Sequence, residues 1–345
     1  MSLLTEIQEQ PAVLERQLKG QKANVKQIAE EIKAYNPSFM YIIARGTSEH
    51  AGIYGQYLMG IEHQLVTAFA APSMSTFYGS APCVKGALAV AISQSGKSPD
   101  LIASAQDAKD KGAKLLVITN TVDSPLGEMG DWVIDCMAGP ERATAATKSY
   151  TTSLLAFSML SAALHNDDKK WAELEHVPEW VNGMFSYDEK LAAYAEHYVF
   201  APRVVVLGRG YNFCSAKEWG LKMQELTYMM AEPYSSAVFQ HGPIAMVENG
   251  YPVMNIIANG KVADSALPQL EMMKNKLGAD IFSITNNDRA AELSNRVIAL
   301  PKEIPEWLSP IAAIIPAQIF ARYLCFARGL DTETPRTIAK VTETH

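Results

Sequence analysis

The chain has 345 residues, room for about two domains at roughly 150 residues each. It is 48% hydrophobic and 19% charged, with 21 Gly and 18 Pro, which excludes a disordered, collagen-like or coiled-coil chain. Thirty basic against 37 acidic side chains give a net charge of −7 with no basic block. A nucleic-acid partner is therefore not expected, since such binding needs a positive footprint. A phosphorylated small molecule stays open, because one loop and one helix N-terminus can hold it whatever the global charge. Cys83, Cys136, Cys214 and Cys325 form no CxxC pair and read as reduced, buried thiols of a cytoplasmic protein. Met1 to Lys19 is acidic and amphipathic, so no secretory signal is expected.

Ile7, Leu14, Leu18, Val25, Ile28 and Ile32 recur at helical spacing and predict an N-terminal helical arm over 1–34, with Pro11 where a helix can restart. Asn36-Pro37 ends it, because the residue before a proline is pushed out of the helical region. A first α/β domain is expected over 35–165. Its strands are Met40 to Ala44, Ala87 to Ile92, Lys114 to Ile118 and Trp132 to Asp135, and its helices cover about 48–61, 99–111 and 147–165. Apolar strands alternating with helices indicate a parallel sheet covered on both faces. Asn166 to Lys190 reads as a polar linker, and a second α/β domain is expected over 191–330. Within it, Arg203 to Leu207 runs into Gly208-Arg209-Gly210 and then a helix from about Ser215 to Met230. The most apolar stretch, Leu308 to Ala327, carries Pro310, Pro316, Gln318 and Arg322, and is expected to be a buried core helix or pair of helices, with no membrane span. Residues 331–345 form a tail without strand pattern.

The two domains look like copies. Arg45 and Arg209 end matching strand–turn units 164 residues apart, and Gly112 to Asn120 resembles Gly278 to Asn286 at a shift of 166. The copies carry different chemistry. In the first, Ser93-Gln94-Ser95-Gly96-Lys97-Ser98 lies between a strand and a helix, where open α/β sheets bind ligands. Three hydroxyls, an amide and a glycine there suit a phosphate, although Ser98-Pro99 alone could be an ordinary helix cap. Arg45-Gly46-Thr47-Ser48 is a second such turn. The matching loop of the second copy, Ile257 to Lys261, lacks the serines. In the second copy, Glu218, Lys222 and Glu225 share one helix face. That spacing commonly means a solvated stripe, but apolar neighbours such as Trp219, Met223 and Leu226 suggest burial, where a carboxylate beside a lysine can serve as a base. His241 heads a Gln-His-Gly-Pro turn and could move protons near neutral pH, whereas His63, His165, His176 and His197 read as surface. No spacing suggests a metal site.

The loops SQSGKSPD and RGTSEHAG, the run PERATAATKSYTTSL, the stretch KEWGLKMQELTYMMAEPYSSAVFQHGPIAMV and the tail TPRTIAKVTE together resemble the sugar isomerase (SIS) family. They are most similar to the isomerase half of glucosamine-6-phosphate synthase, from about residue 8 onward. The resemblance implies an α/β chain of two tandem SIS subdomains, each a flavodoxin-like parallel sheet flanked by helices. It implies a homodimer and no cofactor. A sugar phosphate would be held by Ser48, Ser93, Gln94, Ser95 and Ser98, with Thr47 alongside. Glu225 falls on the family's proton-transferring glutamate, His241 on its ring-opening histidine, supplied across the subunit interface, and Lys340 on its C-terminal lysine, with Lys222 nearby. Two departures shape the expectation. No glutaminase segment with its nucleophilic cysteine is seen, which points to the catabolic direction. Lys97, Arg142 and Thr144 replace other residues in the substrate-facing segments. The expected activity is a glucosamine-6-phosphate deaminase. A fructosamine-6-phosphate deglycase, a galactosamine-6-phosphate deaminase or isomerase, and a non-catalytic sugar-phosphate sensor are the alternatives.

Overall fold

The computed structural model describes residues 2–338 and Lys340, and they form two compact units. One unit comprises Glu9–Arg142 and Ala146–Pro178 together with Lys340. Its strands are β1 (Phe39–Ile43), β2 (Thr67–Phe69), β3 (Ala87–Ser93), β4 (Lys114–Thr119) and β5 (Trp132–Asp135). They pair in parallel in the order β2-β1-β3-β4-β5. All seven residues of the central β3 are buried, which is why the run ALAVAIS is apolar without alternation. The helix Lys148–His165 packs against the helices Gln10–Tyr35 and Thr47–His63. A side chain at Gly55 would meet the Phe157 ring at 2.6 Å, so glycine is needed where two of these helices touch. Gln10–Tyr35 stops at Asn36, whose left-handed φ of 52° and N–H bond to Ile32 close the last turn ahead of Pro37.

The other unit comprises residues 2–8, Ala143–Ala145 and Glu179–Ile338. Its strands are β6 (Arg203–Gly208), β7 (Met230–Ser235), β8 (Pro252–Ile257), β9 (Asp280–Thr285) and β10 (Arg296–Ala299). They are parallel and ordered β10-β9-β8-β6-β7. Read from the other edge, this is the order of the first sheet, so each strand has a counterpart and the duplication seen in the sequence is a duplication of topology. The helix Ser309–Ala327 runs unbroken through Pro316. By length and composition it could cross a membrane, but 78% of its most apolar window is buried inside its unit, against the helices Asp188–His197 and Phe213–Thr227. Phe320 on this helix, Trp219 and Phe282 meet edge to face at 5.3–6.0 Å and fill the centre of the core.

Four expectations need correction. The stretch 166–190 is helical, with helices Asp168–Glu175 and Val177–Gly183 and a 3-10 turn Met184–Tyr187. Asp167 caps the first by accepting from the N–H groups of Lys169 and Lys170, and Trp171 and Leu174 are buried, so a polar composition conceals amphipathic helices. The helix expected to reach Met230 ends at Thr227, because Tyr228 turns left-handed (φ 54°) and β7 begins two residues on. Cys83 is exposed, while the other three cysteines are buried and all four are free. His63 is not a plain surface residue: its ring stacks on His165 at 4.3 Å and its Nε2 lies 2.9 Å from Ser161 Oγ.

Candidate functional site

In the first sheet the order reverses between β1 and β3, so the loops leaving these neighbouring strands flank one crevice. The loop after β1 carries Thr47 and Ser48 into the first turn of the helix Thr47–His63, and the loop after β3 carries Ser93, Gln94, Ser95 and Ser98 up to the helix Pro99–Asp110. An ion pair from Arg45 Nε to Asp100 Oδ2, at 3.1 Å, ties the first loop to the start of the second helix. Neither helix has a side-chain cap, and Ser98 makes no capping bond. The capping explanation of the serines therefore fails at the residue it relied on. The first-turn N–H groups find other acceptors, those of Ser48 and Glu49 the Arg45 carbonyl and that of Leu101 the Asp100 Oδ1. It is the hydroxyls and the Gln94 amide that the two loops bring to the crevice.

The loop is shaped by Gly96. Its φ of +63° is a left-handed turn, its N–H donates to Ser93 Oγ at 3.1 Å, and its carbonyl accepts from the Leu126 N–H. A Cβ there would fall 1.9 Å from Ser124 Oγ, so only glycine fits. Ser95 Oγ accepts from the Lys97 N–H, which leaves its own O–H free to point elsewhere.

The same unit holds Lys340, whose Nζ donates to Glu141 Oε2 at 3.0 Å. Glu141 also accepts from the N–H of Thr147 and of Ser149 and from Ser149 Oγ at 2.7 Å. Burial alone would raise its pKa, but the Lys340 ammonium and the three neighbouring donors outweigh it and hold the carboxyl below the usual range. Glu141 thus seats the tail lysine as a charged pair. Sequence reasoning gave Glu141 no role, although it lies inside the PERATAAT run that carried the resemblance. Thr144 is half-buried in the other unit, where the N–H of the preceding Ala143 donates to Glu6.

In the second unit the helix Phe213–Thr227 brings Lys222 Nζ to 3.2 Å from Glu218 Oε1 and 2.5 Å from Glu225 Oε2. The side chains of Glu218 and Lys222 are 0% and 1% exposed, so the solvated-stripe alternative is wrong for this helix. Burial works against the ammonium, yet the two carboxylates prevail and push its pKa up, so Lys222 stays charged. Glu225, 23% exposed, is the one member of the cluster open to solvent. His241 is exposed on the turn after β7, between the short helix Ser236–Phe239 and a 3-10 turn, and Gly242 behind it takes φ +147°.

Two parallel sheets of one strand order, with polar loops at the switch point of the first, define a duplicated α/β protein of the flavodoxin-like kind. Comparison with known proteins identifies which one. The SIS domain matches residues 35–163 and 198–328, and the chain belongs to that family. It is 34% identical, over 98% of its length, to the glutamine–fructose-6-phosphate aminotransferase (isomerizing) of Thermococcus kodakarensis, and 32% identical to that of Aquifex aeolicus. The chain spans 57% of each of these relatives. Among solved structures, the C-terminal domain of glucosamine-fructose-6-phosphate aminotransferase from Francisella tularensis superposes with a TM-score of 0.86 at 25% identity, covering 96% of this chain and 98% of that one. A glucosamine-6-phosphate deaminase from Thermotoga maritima shares the fold, with a TM-score of 0.79 at 19% identity over the whole of both chains.

Proposed function

We propose that the protein is a glucosamine-6-phosphate deaminase, converting glucosamine 6-phosphate and water to fructose 6-phosphate and ammonia. The observation that carries the reading is the Glu218–Lys222–Glu225 cluster, in which a buried ammonium holds one carboxylate at the solvent edge. The relatives' names supply the substrate class, and the polar loops at the β1/β3 switch point suit its phosphate.

In this reading Thr47, Ser48, Ser93, Gln94, Ser95 and Ser98 bind the sugar phosphate, and Thr144 contributes to specificity. His241, supplied by the partner of a homodimer, assists opening of the pyranose to the aldehyde. Glu225 takes the proton from C2, leaving an enolamine, and returns it to C1. The product is a C1 alcohol and a C2 imine. Lys340, held by Glu141, and Lys222 oppose the negative charge that develops on oxygen. Water adds to C2, the C–N bond breaks and ammonia leaves with the proton it needs, giving the ketose. Hydrogen moves as a proton throughout, so the sequence calls on no redox partner. The direction written is release, because it needs only water beside the sugar phosphate.

The test is ammonia and fructose 6-phosphate measured together from glucosamine 6-phosphate, galactosamine 6-phosphate and a fructosamine 6-phosphate offered separately. Equimolar products from the first alone support the proposal. Release only from another substrate moves the specificity. Tight sugar-phosphate binding without release from any substrate replaces the enzyme with a sensor.

A further inference from the structure

Lys148 is a buried charged side chain that the proposed reaction leaves unused. Its Nζ donates to Glu9 Oε2 at 2.5 Å and to the Pro140 carbonyl at 2.8 Å, and its side chain is 1% exposed. Lys148 is also the first residue of the helix Lys148–His165, where the helix dipole opposes a cation, as burial does. Packing alone would favour an apolar side chain there, so the amine calls for another reason. The Pro140 carbonyl supplies one, because the next residue is Glu141. The chain from Cys136 to Thr147 has neither strand nor helix, so side chains replace a backbone ladder in fixing it. Arg16 Nε donates to the Met137 carbonyl, Asn120 Nδ2 to that of Gly139, and Lys148 to that of Pro140. This continues the edge of the first sheet, where Asn24 and Gln17 of the helix Gln10–Tyr35 donate to the carbonyls of Val133 and Asp135 in β5.

We infer that Lys148 is a positioning residue, which sets Glu141 so that its carboxylate meets the tail lysine. The helix Lys148–His165 grips Glu141 at both ends. At the head, Oε1 accepts from the N–H groups of Thr147 and Ser149, so Glu141 caps the helix in place of Thr147, which makes no side-chain cap. At the backbone, Lys148 holds the carbonyl of the preceding residue. Oε2 is thereby held facing Lys340 Nζ at 3.0 Å, with the Ser149 hydroxyl on its other side. Lys148 thus acts through Glu141 and Lys340 rather than on the sugar. Losing its bond frees the Pro140–Glu141 peptide, and a shift of about 1 Å in a catalytic group can cost about 100-fold in rate. The effect on rate rests on the reading that Lys340 opposes charge in the reaction; the effect on the Glu141–Lys340 pair does not.

The experiment is a double-mutant cycle between Lys148→Met and Lys340→Met in the whole protein, with two readouts. Denaturant titration gives the stability that the Glu141–Lys340 pair contributes, and initial rates on glucosamine 6-phosphate give kcat and KM. Lys340→Met should destabilise the parent, and that loss should shrink by at least half in the Lys148→Met background. Lys148→Met should lower kcat about 10-fold or more with KM within ~3-fold, and should add little to the loss in Lys340→Met. Glu9 is 36% exposed, so Glu9→Gln keeps the fold while weakening the hold on Lys148, and it should couple to Lys340→Met in the same sense but less. Full additivity in stability overturns the inference, in the Lys148 cycle or, if Lys148→Met does not fold, in the Glu9 cycle. A folded Lys148→Met with the parent's kcat, where Lys340→Met is impaired, overturns it as well. Coupling in stability with kcat untouched by Lys340→Met supports the positioning and overturns the catalytic reading of Lys340.

Discussion

Replacing Glu141 by Gln removes one negative charge and little else. The remaining carbonyl oxygen can still accept from the Thr147 and Ser149 N–H groups, and the Ser149 hydroxyl can rotate to accept from the new amide. The Lys340 bond cannot survive, because its ammonium would face a second donor. A hydrogen bond to a charged group contributes about 1.5–3 kcal/mol, so at neutral pH the variant should lose about 2 kcal/mol. That is a fall in Tm of about 4–8 °C. The folded pKa of Glu141 is depressed, so its contribution is complete above the usual carboxylate value of about 4.3 and is lost as pH falls through the lower folded value. The gap between parent and variant should therefore be constant from pH 8 to 5 and narrow as the pH falls below about 4.3. If Lys340 acts in the reaction, Glu141→Gln also lowers kcat by about 10-fold or more with a smaller change in KM. Lys340→Met reproduces that loss while also destabilising the fold at neutral pH, because it leaves the buried Glu141 carboxylate without its cation. Melting curves and initial rates across this range make the test. A variant as stable and as active as the parent, or a gap unchanged at pH 3, would refute the idea that Glu141 seats the lysine by charge.

Lys222→Met breaks a buried charge cluster and should cost about 3–5 kcal/mol, visible in denaturant titration. Glu225→Gln, at the solvent edge, should leave the fold intact and cut turnover by about 10²–10⁴ while sugar-phosphate binding persists. Gly96→Ala forces a Cβ onto Ser124 and should weaken sugar-phosphate binding at least ~10-fold by calorimetry, since an ordinary residue at positive φ strains the loop. Burial, with His165 against it, lowers the His63 pKa to about 4, so the folded protein resists a proton that the unfolded chain accepts. Stability should fall as pH drops from about 6.5 to 4, and His63→Gln should flatten that part of the curve.

Much of the fold was legible because parallel strands buried on both faces announce themselves as apolar runs. β3, β4 and β5 begin at the residues the sequence indicates, and the repeat shift forecast two sheets of one topology. β2 was missed because three residues carry no pattern, and the helices of 166–190 because their apolar positions are sparse in a polar stretch. At the site, helical spacing put Glu218, Lys222 and Glu225 on one face, but only packing by Trp219 and its neighbours decides that the face is buried. The Glu141–Lys340 pair joins residues 199 positions apart, and the Glu9–Lys148 pair residues 139 apart, so neither leaves a local trace.

The central claim is that Glu225 carries a proton between C2 and C1. NMR of the sugar phosphate incubated with enzyme in D2O observes this directly. The account predicts deuterium entering C1 of fructose 6-phosphate formed from glucosamine 6-phosphate, with the signal absent in Glu225→Gln although the sugar phosphate still binds. Because Glu225 is open to solvent, the proton it carries exchanges in part, and labelling below one deuterium per molecule fits the account. Turnover or C1 labelling by the Gln variant equal to the parent's would contradict it.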